Sequence, residues 1–93
     1  MKNKNIIKVT KTREFGGTIQ TYEYKNGLTL SSIRHQYSYG FKSNLFEIAV
    51  FNKAGSIVYE NLDGLDFSDG VIGYVDNKKL RRYIKALGKV KTT

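Results

Sequence analysis

The sequence predicts an α+β fold: an antiparallel β-sheet of about five or six strands with one C-terminal amphipathic helix packed on one face. Three observations predict it. Short runs that alternate apolar and polar residues recur along the first three quarters of the chain, which is the period of a half-buried strand. Glycine and asparagine, never proline, separate those runs. The pattern then switches once, near Asp76, to the helical spacing of Leu80, Tyr83, Ile84 and Leu87 at i, i+3, i+4 and i+7.

The elements follow in order. Ile6 to Thr12 reads as a strand with Ile7 and Val9 on one face, and Glu14 to Gly17 as a turn. Thr18 to Lys25 alternates, with Tyr22 and Tyr24 on one face. Asn26-Gly27 between strand-like runs is a hairpin signal, because a type I′ turn needs positive φ at both central residues. On the return strand Leu28, Leu30 and Ser32 share one face, and Thr29, Ser31 and Ile33 the other. His35 to Asn44 is an aromatic loop. Leu45 to Phe51 is apolar on both faces except at Glu47, so it reads as a central strand covered by the helix. Asn52 to Gly55 is a second hairpin turn, with Ser56 to Glu60 pairing back. Asn61 to Gly70 reads as an acidic loop and Val71 to Val75 as an edge strand. Asp76 suits an N-cap, because its carboxylate accepts from free amides of the first turn. The helix runs from Asn77 to about Leu87, Gly88 fits the C′ position, and the tail frays.

Ninety-three residues make one small domain, 1–93, with 1–5 and 89–93 expected to be flexible. The chain is 40% hydrophobic and 13% aromatic, a folding composition rather than a disordered one. It has no cysteine, so no disulfide and no thiolate metal site. The first residues lack the apolar run of a signal peptide, and no window approaches the roughly 20 apolar residues of a membrane span. These points lead us to expect a cytoplasmic protein with no membrane partner.

The net charge is +8, unevenly spread. Residues 1–13 carry Lys2, Lys4, Lys8, Lys11 and Arg13 without an acid. Residues 77–93 carry seven cations without an acid, and all eight acids lie between the two segments. Basic ends on a mildly acidic body point to an anionic partner: a nucleic acid, an acidic protein or a nucleoprotein. The same charge also serves solubility.

The sequence carries no catalytic constellation. His35 is the one histidine, and no Gly-x-Ser-x-Gly elbow presents a serine. Asp63, Asp66 and Asp69 superficially resemble a calcium loop, but the alternate-position ligands and closing glutamate of an EF-hand are missing. No phosphate-cradling glycine loop is present. The reading is a protein that is not an enzyme and takes no cofactor or metal.

Two features point to binding. On the helix, Lys78, Lys79, Arg81, Arg82 and Lys85 fill the arc opposite the apolar stripe. Five mutually repulsive cations with no interspersed glutamate are not what stability alone selects. A solvated helix back with a mild dipole benefit near its C-terminus is the bland alternative. In the aromatic loop, Tyr37 and Tyr39 alternate with His35 and Phe41, flanked by Arg34 and Lys42. That composition suits base stacking, a protein interface anchor, or plugging of the sheet edge. Monomer and homodimer both stay open, since an exposed edge strand can pair two copies.

From Thr21 to Leu87 the chain also resembles a group of short proteins of unknown function encoded by phages and prophages of Gram-positive bacteria. The resemblance rests on the runs 22–27, 32–40, 45–50 and 71–75 and on the closing helix. It covers most of the chain, but its motifs are structural and imply no functional residues. The N-terminal arm and the strongly basic helix face lie outside it. It implies a context: phage-type accessory proteins often block host defence, including CRISPR nucleases, or modify host transcription. On that expectation the basic face would meet a host nucleoprotein such as a CRISPR effector, or a nucleic acid directly.

Overall fold

A computed structural model describes residues 4–35 and 41–91. Its order is β1 (Ile6–Glu14), β2 (Gly17–Tyr24), β3 (Thr29–Arg34), a 3₁₀ turn (Phe41–Ser43), β4 (Phe46–Phe51), β5 (Asn61–Leu62), β6 (Leu65–Asp66), β7 (Val71–Val75) and α1 (Asn77–Leu87). Five strands form one antiparallel sheet in the order β1-β2-β3-β4-β7, and β5-β6 is a separate two-stranded hairpin. The α+β class and the closing helix are as the sequence predicts.

The register defines which side chains share a face. One cross-strand row is Val9, Tyr22, Leu30, Val50, and the next is Lys11, Gln20, Ser32, Ile48, Ile72. Leu30, Ile48 and Val50 are fully buried, and they meet Leu80, Leu87, Val75 and Phe67 in the core. The other face carries the row Thr10, Thr21, Ser31, Ala49, Val71, none of which joins that core. Small and β-branched side chains there fit a pleated surface without needing a second layer.

The turns depart from the expected type. At Asn26-Gly27 the amide of Gly27 donates to the Tyr24 carbonyl (3.0 Å) and that of Tyr24 to the Leu28 carbonyl (2.9 Å). Within this turn positive φ falls on Gly27 alone, at 92°. This is a three-residue connection, a type I turn closed by a left-handed glycine, rather than type I′. Asn52 to Gly55 repeats it, with Gly55 at φ 86° and the Asn52 side chain accepting from Ala54 and Ser56 amides at 3.0 Å. The two-residue I′ geometry occurs instead at Phe15-Gly16, where both residues have positive φ and Glu14 pairs with Gly17.

Asn26 keeps its side chain for another purpose. Its amide nitrogen donates to the carbonyls of Leu87 (2.8 Å) and Val90 (2.9 Å), while its oxygen accepts from the Leu28 amide (3.0 Å). Beside it the Tyr24 hydroxyl donates to the Ile84 carbonyl at 2.6 Å. The orphan carbonyls at the end of α1 are therefore satisfied by the β2–β3 hairpin.

Five further expectations are corrected. Ile7 and Val9 are 63% and 49% exposed, and Ile6 is the β1 residue packed on the core, because a bulge between Ile6 and Lys8 shifts the register at this edge. The segment after Gly55 pairs back only as far as Val58, whose amide donates to the Val50 carbonyl at 2.8 Å beside the Phe51–Ile57 bridge, and not on to Glu60. The acidic loop contains the β5-β6 hairpin and delivers the fully buried Phe67. Gly88 is right-handed, φ −68°, and a Cβ there would stand 2.7 Å from Asn5 Cβ, so the glycine serves close approach of the N-terminal arm. The tail as far as Lys91 is docked: Val90 is buried, and the Lys91 amide donates to Asp63 at 3.1 Å.

Candidate functional site: the basic helix face

Helix α1 starts where the sequence places it. Asp76 is extended (φ −81°, ψ 172°), and its carboxylate accepts from the Lys79 amide at 2.7 Å. Eleven residues give a helix about 16 Å long. Leu80 and Leu87 are buried, Tyr83 and Ile84 half-buried, and Lys78, Lys79, Arg81, Arg82 and Lys85 all exposed. The five candidate cations thus share one solvent-facing surface.

The surface has two flanks. Lys79, Arg82, Tyr83 and Ala86 line a groove of about 450 Å³ with Gly64, Leu65 and Asp66 of the β5-β6 hairpin. The Ser68 hydroxyl and amide hold the Asp66 carboxyl below the ordinary carboxylate range, so this flank carries a fixed negative charge beside its cations. Tyr83 tilts against Phe67 with ring centroids 5.6 Å apart, which anchors the groove floor. At about 100° per residue, Arg81 and Lys85 lie on the opposite flank, away from the hairpin. Lys78 and Lys79 sit in the first turn, next to the positive end of the helix dipole, where the Asp76 carboxylate caps the helix beside them.

Arg34 lies elsewhere. It is half-buried at the end of β3, and its guanidinium stands 4.9 Å from the centroid of the Phe46 ring. It lines a second concavity, of about 530 Å³, with Arg13, Phe15 and Thr18. Arg34 therefore lines a different concavity from the one beside the helix cations. Tyr37 and Tyr39 lie outside the described residues. Sequence reasoning missed Arg13 and Phe15; the signal was a phenylalanine in a two-residue turn that ordinarily demands Asn, Asp or Gly.

Among the described residues no group of three His, Cys, Asp or Glu side chains is placed to hold a metal ion. No helix among them is long and apolar enough to cross a membrane. The chain matches no protein-family model, no curated protein and no solved structure.

Proposed function

We propose that this is a non-enzymatic binding protein that acts on nucleic-acid machinery through the exposed cations of α1. The observation that carries the reading is that Lys78, Lys79, Arg81, Arg82 and Lys85 are all exposed on a helix with no acid among its residues 77–87. A duplex presents about nine phosphate charges along 16 Å of its axis, enough to engage all five cations. The phage-type resemblance supports a host nucleoprotein in the bacterial cytoplasm as the target, and an inhibitor of a CRISPR effector is its sharpest form. A direct DNA- or RNA-binding module is the second reading, favoured by the second concavity, where two arginines meet an exposed ring.

The test is fluorescence anisotropy with labelled single-stranded and duplex DNA and RNA over about 50–300 mM salt. Direct binding at micromolar affinity or tighter, with a log–log salt slope of about −3 to −5, is the expected result for the phosphate-contacting face. Arg82→Glu removes most of that binding and leaves thermal unfolding unchanged, because the side chain is exposed. Binding to a nucleoprotein but to no naked strand assigns the face to the protein part of the machine. Binding to neither ends this reading, as does an Arg82→Glu variant that binds as wild type.

A further inference from the structure

We infer that the concavity at the β1–β2 turn is a single-stranded nucleotide subsite, in which Arg13, Thr18 and Arg34 hold a backbone phosphate and Phe15 stacks on the adjoining base. The inference rests on the nucleic-acid reading above and adds the strandedness of the ligand and a second contact region.

Register brings the polar groups together. Arg13 pairs with Thr18 and Thr18 with Arg34, so the three stand in one row on the helix side of the sheet. Two strand spacings separate the arginines, about 10 Å between Cα atoms, and both guanidinium groups can reach an anion seated above Thr18. The space available is about 530 Å³, within the range of small-ligand sites. Arg34 is held in place from two sides. Its guanidinium lies over the Phe46 ring, 4.9 Å from the centroid. Its backbone is pressed by Gly17, where a Cβ would stand 1.9 Å from the Arg34 carbonyl oxygen.

Phe15 supplies the second observation. It has φ 51°, a left-handed conformation that costs a bulky side chain on the order of 1 kcal/mol or more. The strained residue is not part of the core: it is 53% exposed, its ring edge-on to His35 at 5.3 Å between centroids. An aromatic ring kept in a turn that prefers asparagine or glycine, beside two arginines, matches the stacking platform and cationic track of single-strand binders. Glu14 also lines the space. A ring that stacks on a base needs that base unpaired, so the ligand is a nucleotide within a single strand. The subsite is near the start of the basic helix, since the residue under Arg34, Phe46, pairs with Val75 just before Asp76.

Phe15→Asn tests the inference without endangering the fold, because asparagine accepts the left-handed conformation. Anisotropy with a labelled ten-nucleotide thymidine strand and with a duplex, both at about 50 mM salt, is the readout. Phe15→Asn is expected to weaken the single strand by about 5- to 100-fold and leave the duplex unchanged. Arg13→Gln is expected to reduce the single-strand salt slope by about one. Equal loss for strand and duplex, no loss for either, or no binding of the single strand by wild type overturns the inference. Duplex binding that is lost in Arg81→Glu/Lys85→Glu while Phe15→Asn is silent keeps the helix reading and removes this one. The reverse pattern keeps the subsite and removes the helix reading.

Discussion

Two halves of one sheet face have opposite fates. Where α1 lies across it, the face is Leu30, Ile48 and Val50, all at 0% exposure. Toward the β1 edge and the β1–β2 turn, the same face continues as Val9, Lys11, Arg13 and Thr18, which are exposed or half-exposed. Val9 and Leu30 even belong to one row, joined through Tyr22. Alternation therefore assigns a side chain to a face, and the landing place of the helix decides whether that face is core or surface. The uncovered half is free to carry charge, and it does.

The largest effect that sharpens this contrast is expected from Leu30→Ala. Truncation in the covered half removes a fully buried side chain and costs about 2–5 kcal/mol in denaturant unfolding. Its row partner measures the other half: Val9→Ala stays within about 0.5 kcal/mol. A comparable loss at both positions breaks the distinction.

Next comes the tie between hairpin and helix. Asn26→Ala removes a donor from the Leu87 and Val90 carbonyls and the acceptor of the Leu28 amide, and about 1–3 kcal/mol is lost. Asp76→Ala removes the N-cap acceptor for about 1 kcal/mol and lowers helicity by circular dichroism.

Much of this contrast was legible beforehand and part of it was not. The helix could be read to its bounds because its signals are local: an apolar stripe with Asp76 in front. The faces of β3 and β4 followed from alternation for the same reason. Ile7 and Val9 misled, because nothing near them in sequence says how far a helix seventy residues away extends its cover. The role of Asn26 was hidden likewise, since a turn propensity and a clamp on a distant carbonyl use the same residue. Gly88 looked like a left-handed cap, while its real constraint, Asn5 pressing on it, comes from the other end of the chain. At the candidate site, composition revealed the helix cations, but only strand register could place Arg13 beside Arg34.

One effect is confined to alkaline solution and is absent at neutral pH. Burial, and secondarily Tyr22, pushes the Tyr24 phenol well above its ordinary value of 10.0. The neutral phenol is the form the fold favours, so this contribution is intact below pH 10 and is lost as pH rises toward the elevated folded value. A melting temperature that is flat from about pH 7 to 9 and falls above 10 is expected, with Tyr24→Phe blunting the fall. A fall that Tyr24→Phe leaves unchanged assigns it to other groups.

The clamp of Tyr24 and Asn26 on the end of α1 spans 60 to 64 residues of chain. An eleven-residue helix with five like charges has little stability by itself, so its order depends on the core and on this clamp. The cationic surface therefore exists as an ordered array only in the finished fold. By thermodynamic linkage, any polyanion that prefers the ordered array to the loose chain stabilises the whole molecule, so occupancy of the helix is transmitted to the hairpin that holds it.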